Sequence, residues 1–136
     1  MKGYDSMKKI LKLDAKTSTL TEIEVEKVGY EEIHNGVNGY IERYIPNKEF
    51  SDNHIDIWID EEGKLKGLQP NIAVLGENNE IIEMLVGDAI FTSLNEETGE
   101  SLPLTEEQIQ IIERSLIKRI MCNKGEFIPI RVIKAL

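Results

Sequence analysis

The chain has 136 residues, of which 25 are acidic and 16 basic, for a formal charge of −9 with 40% hydrophobic content. That is the size and composition of one globular domain, 1–136, neither disordered nor fibrous. No apolar run approaches the ~20 residues of a spanning helix, no signal-type apolar core opens the chain, and a single cysteine excludes an internal disulfide framework, so a cytoplasmic location is expected.

Residues 1–7 read as a loose lead-in, with Met7 as an alternative start. Ile10, Leu11 and Leu13 suggest a strand, Asp14 to Ser18 a turn, and Leu20–Val25 a second strand. Ile23 and Val25 alternate there with Glu22, Glu24 and Glu26, the period of a half-buried strand, so an N-terminal hairpin is expected. Tyr30 to Gly36 suggests a short helix stopped by Gly36. Tyr40 to Ile45 suggests a strand stopped by Pro46. Ile55 to Asp60 alternates cleanly, with the isoleucines on one face and Asp56, Trp58 and Asp60 on the other. Glu61-Glu62-Gly63-Lys64 suits a tight turn, with Leu65 and Leu68 continuing the return strand of a hairpin.

Pro70-Asn71 leans towards a turn. Ile72 to Leu75 and Ile81 to Leu85 are short apolar runs that periodicity does not divide between strand and helix. Val86 to Leu94 has strand composition, followed by a loop from Asn95 to Glu100. Thr105 and Gln108 form a capping box, with Leu104 and Ile109 spaced as a hydrophobic staple. Ile109, Ile112, Leu116, Ile120 and Met121 then recur at helical spacing, and Lys118 and Arg119 would sit in the last turn, where the helix dipole favours cations. The expectation is a helix over about 105–122. Glu126 to Ile133 alternates again within a tail, 125–136, whose strand would offer an edge for self-pairing. The fold class expected is α+β, a mainly antiparallel sheet of hairpins with this one well-defined helix.

Charge is distributed unevenly. Residues 31–107 hold eighteen acids against Arg43, Lys48, Lys64 and Lys66, whereas residues 108–136 hold six bases against Glu113 and Glu126. So acidic a middle does not track a phosphate backbone, and direct nucleic-acid binding is not expected. His34, His54 and Cys122 lie far apart, which speaks against a metal site or a Cys–His nucleophile. Asp52, His54, Asp56 and Asp60 lack the Gly and Glu positions of a calcium loop. No phosphate-binding Gly motif occurs. Trp58 beside Asp56 and Asp60, and Tyr40 and Tyr44 beside Glu42, combine aromatic and polar groups as small-ligand pockets do. The candidate ligand residues are therefore Tyr40, Arg43, Trp58 and Asn71, with Arg43 placed to pair a phosphate. If the sheet is covered on both faces, Trp58 is core instead. Asp56, Asp60, Glu61 and Glu62 are the candidate acidic interaction surface.

The run from Trp58 to Asn71, WIDEEGKLKGLQPN, resembles the DUF3846 family in its acidic-Gly turn and Pro-Asn segment. Gly39-Tyr40-Ile41-Glu42, Gly87-Asp88 and the helix start from Leu104 to Gln108 are also similar, and the resemblance spans roughly residues 8–121. It implies an accessory or counter-defence protein of a phage or mobile element and transfers no catalytic residue. The expected function is a non-catalytic binding protein, without cofactor or metal, that sequesters a small nucleotide-like ligand or occupies a host protein. Alternatives are an acidic or DNA-mimicking inhibitor of a host enzyme, and a small-nucleotide-processing enzyme. Any of these is compatible with a homo-oligomer; no membrane partner is expected.

Overall fold

The computed structural model describes residues 8–136, so the lead-in and Met7 lie outside the described residues. In chain order the elements are β1 (Lys8–Leu13), β2 (Leu20–Val25), α1 (Tyr30–Val37), β3 (Ile41–Tyr44), α2 (Lys48–Asp52), β4 (Ile55–Asp60), β5 (Pro70–Leu75), β6 (Ile81–Val86), β7 (Ala89–Leu94), β8 (Ser101–Leu102), α3 (Glu106–Ser115), β9 (Ile117–Asn123) and β10 (Glu126–Lys134). The fold is α+β with mainly antiparallel sheets. One sheet runs β2-β1-β7-β4-β3, with β8 added to β7; the other runs β6-β5-β10-β9. Among the described residues only β5 and β10 pair in parallel. No helix among the described residues is long and apolar enough to cross a membrane.

The main core lies between the sheets. Leu11, Leu13, Ile55, Ile57 and Phe91 of the first sheet meet Ile72, Val74, Leu85 and Ile133 of the second, with Phe50 of α2 and Ile109, Ile112 and Leu116 around α3. A smaller core forms where α1 lies on the opposite face of the first sheet. There Ile33 and Val37 pack with Ile10 and Ile90, and Ile41 and Trp58 flank them. The first sheet is thus covered on both faces, and Trp58 belongs to that second cluster.

Several local expectations hold. The N-terminal hairpin pairs Lys8–Leu13 with Val25–Leu20 in unbroken register. The capping box is complete, Gln108 N–H donating to Thr105 Oγ1 at 3.2 Å and Thr105 N–H to Gln108 Oε1 at 2.9 Å.

Others are corrected by tertiary contacts. Gly36 does not end α1: Asn38 does, in the left-handed region at φ 63°. Gly36 instead lets the helix approach the sheet, because a Cβ there would collide with the Ile90 side chain. Asn47 caps the short, unanticipated α2, accepting from Phe50 N–H at 2.9 Å while Phe50 enters the core. The chain does not return along β4 through Leu65 and Leu68. β4 already has β3 and β7 as neighbours, so the segment crosses to the second sheet and Pro70-Asn71 opens a strand there.

The largest correction is at α3, which ends at Ser115 rather than near 122. Residues 117–123 form β9, paired with β10 from Ile117↔Val132 to Asn123↔Glu126. Ile109, Ile112 and Leu116 are buried as the helical stripe requires, but Ile120 is 68% exposed and Cys122 is exposed on a strand. The i, i+4 spacing of Leu116 and Ile120 is matched equally by a β-branched segment beside an alternating partner strand, and the long-range ladder prevails. The tail strand is consequently interior to its sheet, and β9 is the edge on that side.

Phe91 is fully buried on the central strand β7. Phe91→Ala is expected to cost about 3–5 kcal/mol, read as a lower urea midpoint with an unchanged slope; a cost no larger than a surface substitution would contradict this core.

Candidate functional site

The alternation of β4 holds in the register. Asp56, Trp58 and Asp60 share one face with Thr92 and Ile90 of β7 and with Arg43 and Ile41 of β3, through the pairs Asp56↔Thr92, Trp58↔Ile90, Arg43↔Trp58 and Ile41↔Asp60. Trp58 is half-buried and donates its indole N–H to Thr92 Oγ1 at 2.9 Å. Tyr40 is 64% exposed. Asn71 lies in the other sheet and is fully buried. The four candidate ligand residues are therefore not gathered: Arg43 and Trp58 are cross-strand neighbours, Tyr40 is outside, and Asn71 is interior.

The acidic surface is also redrawn. Glu61 and Glu62 are exposed, but Asp56 and Asp60 are buried. Asp60 is held by Lys66 Nζ at 2.7 Å and accepts from Glu62 N–H at 2.8 Å. It occupies the space that a side chain at Gly39 would need. Asp56 has a side-chain exposure of 1%, with the Arg43 guanidinium 3.7 Å away. Its Oδ2 has no hydrogen-bond partner. Burial pushes its pKa above the ordinary 3.8, opposed by Arg43.

The segments that carry the family resemblance meet at the end of β1. Asn71 Nδ2 donates to the carbonyls of Leu13 at 3.0 Å and Gly87 at 2.8 Å, and Gln69 Nε2 donates to that of Ala15 at 2.9 Å. Ala15 N–H in turn donates to Asp88 Oδ1 at 2.8 Å. These side chains tie the first sheet to the second. A neighbouring cavity of about 410 Å³ touches Lys16, Asp60, Lys66, Gln69 and Asp88, where Lys66 pairs with Asp60 and Asp88 with Lys12.

A different cavity, of about 460 Å³, lies between the β1–β2 turn and the β9–β10 hairpin. Thr17, Ser18, Thr19 and Leu20 form one wall; Lys118, Arg119, Ile120, Pro129, Ile130 and Arg131 form the other, and no acid lines it. Asp14 shapes the turn by accepting from Lys16 N–H at 2.9 Å and Thr17 N–H at 3.0 Å, bonds that hold its own pKa low. Ser18 follows in the left-handed region at φ 59°. Arg131 is buried, donating from Nε to Ser18 Oγ at 3.3 Å and from its two terminal nitrogens to the carbonyls of Leu116 and Ser18, both at 3.0 Å. Its partners are neutral, and among the described residues no carboxylate pairs with it. Desolvation lowers its pKa, yet a guanidinium stays charged in proteins.

Sequence reasoning missed this cleft. The basic balance of residues 108–136 was its signal, and Lys118 comes opposite Arg131, with Arg119 also on the cavity lining, only once residues 117–123 are a strand.

Two substitutions separate the roles of these buried groups. Asn71→Ala is expected to cost about 1–3 kcal/mol by urea unfolding, and an unchanged midpoint would remove its bridging role. For Asp56 the folded carboxyl binds its proton more tightly than the unfolded one. Stability is therefore lost as pH rises from 3.8 through the raised folded value. Asp56→Asn is expected to be more stable than the parent at neutral pH and to lose less over that rise; parallel pH profiles would contradict it.

No curated protein and no solved structure matches the chain. A family model described as a domain of unknown function, DUF3846, matches residues 7–117. The matched stretch includes the knot of Gln69, Asn71, Gly87 and Asp88 and stops at the first residue of β9, so most of the cationic wall of the cleft lies beyond it. The chain belongs to the DUF3846 family.

Proposed function

We propose that this is a cytoplasmic, non-catalytic binding protein that retains a small phosphate-bearing, nucleotide-like ligand in the Arg131 cleft. The observation that carries this reading is a buried guanidinium with neutral partners only, facing a cavity whose other charges are Lys118 and Arg119. Burying a charge without a counter-charge is costly. Phosphate supplies that charge and accepts the planar N–H fork of arginine.

The cavity size falls in the range of small-ligand sites. The Thr17 and Thr19 side chains offer hydroxyls beside the cations, while Leu20 and Ile120 offer apolar walls for a base. Retention without turnover suits an accessory protein of a phage or mobile element that withdraws a nucleotide signal from its host, the role implied by the family resemblance. The acidic-surface alternative is weakened by the burial of Asp56 and Asp60.

The test is calorimetric titration with a panel of mononucleotides, cyclic nucleotides and short oligonucleotides, beside native mass spectrometry after incubation with small-molecule extract from defence-activated cells. One phosphate-bearing ligand is expected to bind with salt-sensitive affinity. Lys118→Glu and Arg119→Glu should each weaken it about tenfold or more, equivalent to about 1.4 kcal/mol, whereas Tyr40→Ala and Arg43→Ala leave it unchanged. Flat titrations with no adduct would reject the reading; loss confined to the Tyr40 and Arg43 variants would move the site to β3.

A further inference from the structure

The second sheet ends in two unequal edges. Among the described residues β6 pairs only with β5, and β9 only with β10. On and beside β6 stand Glu77, Glu80 and Glu83, with no base between Gly76 and Gly87. Lys64 of the β4–β5 connection bridges Glu83 at 2.5 Å, and Glu77 and Glu80 leave that edge negative. On and beside β9 stand Lys118, Arg119 and Lys124, with no acid between Ile117 and Gly125.

Each charged set adjoins exposed isoleucines. Ile81 and Ile82 are 53% and 55% exposed on β6, and Ile117 and Ile120 are exposed on β9. The strands are of nearly equal length, six and seven residues.

We infer that this protein associates with further copies of itself head to tail, β6 of one copy pairing with β9 of the next. The strand directions permit it. β6 is antiparallel to β5, β5 is parallel to β10, and β10 is antiparallel to β9, so β6 and β9 point the same way. A copy displaced across the sheet lays its β9 parallel to β6 and continues the ladder. Within one copy the two edges are three strand spacings apart, about 14 Å, and do not meet.

Charge selects this contact over the symmetric ones. β6 against β6 opposes glutamates, and β9 against β9 opposes Lys118, Arg119 and their counterparts; like charges facing each other across strands destabilise the pair. Charge alone also serves to keep edges apart. Opposite signs on the two edges, each beside exposed isoleucines, complement one another instead. A heterologous contact of this kind closes into a ring or grows as a chain.

The test is light scattering coupled to size exclusion on the full-length protein, in phosphate-free buffer at low salt. The parent is expected above the mass of one chain, and high salt should dissociate it. Glu80→Lys, just before β6, with Ile82→Lys on it should yield a monomer, as should Lys118→Glu with Arg119→Glu on β9. The β6 variant lies outside the cationic cleft, so its dissociation is independent of ligand binding. Mixing the two variants restores opposite charges at every contact and should restore the parental mass, which also shows that both are folded. A monomeric parent, variants that keep the parental mass, or a mixture that stays monomeric would each overturn the inference.

Discussion

The position of β10 is the constraint on which most of this structure depends. Its parallel ladder to β5, from Arg131↔Ile72 to Lys134↔Leu75, and its antiparallel ladder to β9 make one sheet of the mid-chain strands β5 and β6 and the C-terminal strands β9 and β10. That sheet closes the main core over Leu11, Ile57 and Phe91, and Ile133 enters the core directly. The same placement ends α3 at Ser115, because the residues after it are taken into the ladder. It also carries Arg131 to the β1–β2 turn, so the cationic cleft follows from the pairing that completes the fold.

Buried polar side chains secure the junctions that apolar packing leaves loose. Asn71, through its Nδ2 while its buried Oδ1 has no hydrogen-bond partner, and Gln69 join the two sheets at the end of β1. Gln108 does more than cap its helix: its Nε2 also donates to the Asn53 carbonyl at 2.8 Å and Ser93 Oγ at 2.9 Å, fixing α3 against the first sheet. Such groups stabilise only when their hydrogen bonds are made, and so they define a unique arrangement as well as a compact one. Asp56 and Arg131 depart from this pattern. Each is a buried ionisable group with incomplete charge compensation, one at the edge of the β3–β4 pair and the other on a cleft wall. Of the two, Arg131 lines a cavity of about 460 Å³, the size of a small-ligand site.

Local chemistry was legible where neighbours in sequence are also neighbours in space. The Thr105–Gln108 box, the first hairpin and the alternation of β4 needed only interactions within a few residues or a two-fold side-chain period. Asn71 shows the opposite case. Following a proline it suits a turn, and its role in bridging Leu13 and Gly87 depends on contacts 58 and 16 residues away. Lys118 and Arg119 suited a helix end equally well until a partner strand was present. Arg43, legible as a base among aromatic residues, lies on β3 beside Asp56.

The amino-acid sequence by itself determined the α+β character, the family, the acidic middle and the basic end, because periodicity, capping and composition are properties of short stretches. Tertiary structure alone decided that residues 117–123 are a strand, that Asp56 and Asp60 are buried, and that Ser18 meets Arg131 across 113 positions. Those outcomes depend on which distant strands pair and in which register. A short apolar segment satisfies helix and strand alike until a long-range partner supplies the hydrogen bonds that separate them.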